Sequence, residues 1–103
     1  MNSEYAVVAD YRLKMEVDRH LTKIENLPDQ QVVFLYNRLS RNGFFVREQA
    51  IRLLSLHYDF IRRFGKSPLI IEDNTILRLT NQICLLQGQI QYADGTPIEC
   101  RAH

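Results

Sequence analysis

The chain is poor in the groupings that build common catalytic and cofactor sites. Its four glycines, at 43, 65, 88 and 95, stand apart and near the ends of expected elements, so no glycine-rich loop cradles a phosphate. Two cysteines and three histidines supply a single close pair of metal-binding type, Cys100-x-x-His103. Structural zinc takes four ligands in paired clusters, and the second pair is missing. Ser40, Ser55 and Ser67 lack the strand–turn–helix setting of a nucleophile elbow. No two carboxylates share an expected buried face, where burial would tune an acid–base pair. These absences predict a protein that is not an enzyme, with no catalytic residue, no metal and no cofactor.

Long apolar runs are missing too. Nothing approaches the roughly 18 consecutive apolar residues of a membrane-spanning helix. Glu4 and Asp10 frame a short Ala6–Ala9 run, unlike the basic start and longer apolar block of a signal peptide. A cytoplasmic protein without membrane contact is therefore expected. There Cys84, set in an apolar pattern, stays a reduced thiol. Repeats, low-complexity tracts and long linkers are absent as well. With 103 residues, 46% hydrophobic and 24% charged, the expectation is one domain over residues 1–103 around one core.

Hydrophobic spacing predicts a mainly α fold, roughly a four-helix bundle with a short C-terminal β-hairpin. Leu13, Val17, His20, Leu21, Ile24 and Leu27 recur at threes and fours, predicting a helix over about 4–25, capped by Asn2 or Ser3. Pro28 suits the start of a second helix over about 29–42, burying Val32, Leu35 and Leu39 and ending at Asn42-Gly43. In a third helix over about 46–64, eight residues fall within one arc of about 120°. They are Val46, Ala50, Leu53, Leu54, His57, Phe60, Ile61 and Phe64. Gly65 and Pro68 end that helix. Ile76, Leu79, Ile83, Leu86 and Ile90 alternate threes and fours, predicting a fourth helix over about 70–87. Beyond Gly88 the period changes. Gln89–Tyr92 and Pro97–Cys100 read as strands joined by the Asp94-Gly95 turn, a hairpin over about 89–101.

Charge is near balance overall but uneven along the chain. Between Arg38 and Lys66 seven bases face two acids, a net charge of +5, and arginines outnumber lysines ten to three. Guanidinium suits planar recognition of carboxylate or phosphate. On the third helix Arg47, Ile51, Tyr58 and Arg62 cluster outside the buried arc, with Arg63 beside them. Apolar anchors framed by arginines have the composition of an interface hot spot. The primary expectation is a small regulatory or interaction protein that binds a macromolecular partner, most readily a protein, through this face. Excess apolar surface on the third and fourth helices and a free hairpin edge predict a homodimer. His20 and His57 lie on apolar stripes and read as core residues whose ring nitrogens are satisfied by neighbours.

Two local resemblances give alternatives. Thr75–Leu79, followed by Ile83, Leu86, Gly88 and Ile90, resembles the recognition helix and first wing strand of a winged-helix domain. The resemblance implies DNA binding, with Asn74, Arg78, Asn81 and Gln82 reading base edges. Arg52 and His57 resemble the Arg-x4-His motif of HEPN ribonucleases. That family implies a dimeric helical bundle cleaving RNA without metal, the two residues meeting at the dimer interface.

Overall fold

A computed structural model describes residues 5–6, 11–42, 47–72, 75–78 and 82–98. The fold is mainly helical; among the described residues a two-residue strand precedes three helices, and four further short strands follow them. The helices are α1 (Tyr11–Ile24), α2 (Asp29–Asn42) and α3 (Arg47–Phe64). No described helix is long and apolar enough to cross a membrane.

α3 lies at the centre. Ala50, Leu53, Leu54, Phe60 and Phe64 are buried as their spacing requires, and Ile61 is half-buried. The buried surface extends past that arc to Ile51, Ser55, Leu56 and Asp59. A helix covered on nearly every side needs neighbours on nearly every side. α1 covers it through Val17, with Leu21 and Ile24 half-buried against the core. α2 covers it through Val32, Val33 and Tyr36, whose ring meets Phe60 edge-on at 5.8 Å. Gly65, at a φ of 76°, donates its N–H to Ile61 O at 2.9 Å. This is the left-handed cap that frees the chain to turn back at buried Pro68 and Leu69.

Two helix boundaries differ from expectation. The first helix starts at Tyr11 rather than near residue 4, because Tyr5–Ala6 form a strand, β1. The caps expected at Asn2 and Ser3 lie outside the described residues, as does Gly43. The expected fourth helix over 70–87 is not found among the described residues. They form β2 (Ile70–Glu72), β3 (Thr75–Arg78) and β4 (Ile83–Leu86) instead. Ile70, Ile71, Thr75, Ile76 and Ile83 are β-branched and stiff about χ1, which favours strand over helix. Ile76, Ile83, Leu86 and Ile90, spread over separate short strands, imitated a helical seam, while Leu79 lies outside the described residues. One sheet runs β1-β3-β2, antiparallel throughout.

The hairpin forms one strand earlier than expected. β5 (Gln89–Tyr92) pairs back onto β4 with Leu86 opposite Gln89 and Ile83 opposite Tyr92. Gln87 and Gly88, with φ of 52° and 80°, make the two-residue turn. Both central φ values are positive, as a type I′ turn needs, and its twist matches that of the strands. Asp94-Gly95 does turn the chain, but locally. Gly95 N–H donates to Tyr92 O, Tyr92 N–H to Thr96 O, and Thr96 N–H to the Asp94 carboxylate. Pro97 and Ile98 follow without a strand, and Glu99 and Cys100 lie outside the described residues.

Candidate functional site

The arginine-framed face of α3 is kept only in part: Tyr58 and Arg62 are exposed, but Ile51 and Arg63 are not. Ile51 is 1% exposed and belongs to the core, so it cannot anchor a partner. Arg63 is turned inward, its side chain 9% exposed. Its Nε donates to Asp59 Oδ2 at 2.6 Å, Nη1 to Asp29 Oδ1 at 2.7 Å and Nη2 to Ile24 O at 2.9 Å. Burial alone would lower the Arg63 pKa, but hydrogen bonds and charge from Asp29 and Asp59 outweigh it and raise the value. Arg62 donates to the other Asp59 oxygen at 2.7 Å and to Glu25 O at 3.0 Å. The two arginines thus fasten the end of α1 and the start of α2 to α3. Tyr58 is 48% exposed. Arg47 opens α3, and its side chain lies outside the described part. Leu56 and Ile51 are covered within the chain, so neither adds apolar surface to α3.

Among the described residues the base-reading set has no helix to carry it. Asn74 and Asn81 lie outside the described residues, and Arg78 ends a strand. Gln82 is half-buried, its amide donating to Asn37 O at 3.1 Å and lying 3.4 Å from Ser40 Oγ.

His57 is buried at 5% exposure, its Nδ1 2.8 Å from the Ser67 hydroxyl. That is the satisfied core histidine expected from the stripe. Arg52 instead faces solvent, its side chain 53% exposed, with Nε 3.4 Å from Glu48. The two residues of the Arg-x4-His motif therefore meet different surroundings. His20 is also paired with Glu48, at 3.4 Å, its side chain 20% exposed.

A cavity of about 390 Å³ opens between the three helices, at the lower end of the range for ligand sites, roughly 300–1,000 Å³. α1 gives it His20, Lys23 and Ile24, and α2 gives Leu35, Arg38 and Leu39. α3 gives Gln49, Arg52, Ser55 and Leu56. Its floor is aliphatic and its rim carries Lys23, Arg38 and Arg52, all exposed. Among the described residues no carboxylate lines it, and the neighbouring Glu48 is engaged with His20 and Arg52. α2 packs against β4 as well as α3. Three cations around a low-dielectric floor attract an anion more strongly than scattered surface charges do. The arrangement suits binding an amphipathic anion, not proton transfer or nucleophilic attack.

Sequence reasoning passed over this site because it followed α3 alone. A signal was present. Lys23-Ile24 and Arg38-Leu39 each set a cation beside an apolar stripe, and Arg52 stands one helical turn before Leu56. Among the described residues no group of three or more potential metal ligands occurs. No protein-family profile, no curated protein and no solved structure matches the chain.

Proposed function

We propose that the protein is a non-enzymatic interaction protein that binds an acidic segment of a protein partner at the cavity between α1, α2 and α3. The observation that supports this is the convergence of Lys23, Arg38 and Arg52, one from each helix, on an aliphatic floor lined by no acid among the described residues. The partner-binding role expected of the arginine-rich middle of the chain is kept. Its location moves from one face of α3 to the groove beside it.

A protein segment fits this floor better than nucleic acid does. Bases stack on aromatic or guanidinium platforms, whereas Ile24, Leu35, Leu39 and Leu56 offer aliphatic contact. A suitable experiment compares a short labelled oligoglutamate with an oligothymidylate of equal length. Fluorescence polarisation would read both at low and physiological salt. The peptide is expected to bind, and the triple charge reversal Lys23→Glu, Arg38→Glu, Arg52→Glu to abolish binding while circular dichroism shows the fold intact. Binding that survives the triple substitution, or capture of the oligonucleotide alone with a steep salt slope, overturns the proposal.

A further inference from the structure

Gln49 sets a requirement that charge does not. It lines the cavity, and its Oε1 is fully buried without a hydrogen-bond partner among the described residues. Buried amide oxygens are nearly always paired, because losing water without gaining a donor is unfavourable. Rotating the Gln49 amide toward the cavity gives up no hydrogen bond at that oxygen. An occupant that brings an N–H therefore gains what Gln49 now lacks. A simple carboxylate has acceptors only and cannot meet this need.

The cationic rim also continues past the cavity. Phe34, Arg38 and Arg41 on α2 are all exposed and follow one another at spacings of four and three. Residues so spaced lie on one helix face and here span about 10 Å along the axis. Phe34 is 50% exposed. A small free acid would fill the cavity and leave this row unused, whereas an extended chain can follow it.

Resting on the function proposed above, we infer that the occupant is an extended acidic peptide segment carrying an aliphatic or aromatic residue between its acids. That side chain seats on Ile24, Leu35, Leu39 and Leu56. The flanking carboxylates meet Lys23, Arg38 and Arg52, with Arg41 and Phe34 taking the segment's continuation. A backbone N–H beside the seated residue donates to the Gln49 amide oxygen.

The test is selection of a random peptide display library on the whole chain, followed by a double-mutant cycle with the strongest binder. Enrichment of sequences with an apolar residue flanked by acids is expected. N-methylation beside the seated residue should weaken binding about tenfold to the wild type. The same methylation should have little effect on Gln49→Ala, because the donor then has lost its acceptor already. Acidic sequences without an apolar residue, or an equal penalty for methylation in both proteins, overturn the inference and leave the function standing. Enrichment unaffected by the triple charge reversal overturns both. Displacement of the peptide by a free medium-chain carboxylate, with no loss on Phe34→Ala or Arg41→Ala, assigns the cavity to a small acid and overturns the inference.

Discussion

Asn37 and Ile83 exchange two hydrogen bonds across the helix–strand boundary. Asn37 Nδ2 donates to Ile83 O at 2.9 Å, and Ile83 N–H donates to Asn37 Oδ1 at 2.8 Å. Ala93 N–H bonds Gln82 O at 2.7 Å. The alternation of an antiparallel ladder then turns the polar groups of Ile83 away from β5. A helix side chain thus stands in for the next strand and closes the edge of the hairpin at its base. On the other strand, the Asp94-Gly95 turn does the same for Tyr92.

Replacing Asn37 by Ala should cost about 1–3 kcal/mol, because it strands two polar groups at a half-buried site. Asn37→Asp should not rescue the loss, since a carboxylate accepts from Ile83 N–H but opposes Ile83 O. Hydrogen exchange checks this directly. The Ile83 amide should lose protection in both variants, while amides in the middle of α3 keep theirs relative to global unfolding.

The Asp59–Arg63 pair makes a second prediction. The Asp59 side chain is fully buried; removing Arg63 leaves it only the exposed Arg62, and removing Asp59 leaves Arg63 only Asp29. Asp59→Ala and Arg63→Ala should each cost up to about 3–5 kcal/mol in urea denaturation. Arg63→Lys should recover only part, because a point ammonium cannot reach Asp59, Asp29 and Ile24 O together. Arg62→Ala, at a side chain 55% exposed, should cost under about 1 kcal/mol. The raised Arg63 pKa puts its contribution in force below the unfolded arginine pKa, to be lost only as pH rises through the higher folded value. This pair therefore adds no pH dependence near neutrality from the guanidinium. Equal losses for Arg62 and Arg63 would contradict the assignment of Arg63 as the structural member.

The three helices were legible in the sequence because each carries a stripe long enough to show its period. α3 buries most of the residues its spacing selects, and α1 buries Val17 with Leu21 and Ile24 half-buried; α2 buries Val32 but turns Val33 and Tyr36 fully inward, leaving the selected Leu35 and Leu39 half-buried. The region after Leu69 was not legible, since four-residue strands hold only two residues per face. Two residues cannot separate a period of 2 from one of 3.6. The α3 surface was misjudged for a different reason. Ile51 sits off the buried arc by angle, but a central helix has no open side there. Which side is open depends on how three helices pack, and so does the meeting of Lys23, Arg38 and Arg52. No single stripe contains that information.

The turn at Gln87-Gly88 explains both the misplaced hairpin and a way to strengthen it. Gln87 holds a φ of 52°, a left-handed conformation that costs an ordinary side chain roughly 1–2 kcal/mol. Asparagine tolerates that region far better, and Asn-Gly is the favoured pair for this turn. Gln87→Asn should therefore raise the unfolding midpoint, recovering a fraction of the roughly 1–2 kcal/mol. Gly88→Ala should lower it: a Cβ there meets no neighbouring atom within 4 Å, so the penalty comes from the φ of 80° alone. Thermal melts of the two variants test the turn type, because only a turn with two positive φ values predicts opposite signs. A Gln87→Asn variant no more stable than the wild type, beside a neutral Gly88→Ala, would place the reversal of the chain elsewhere.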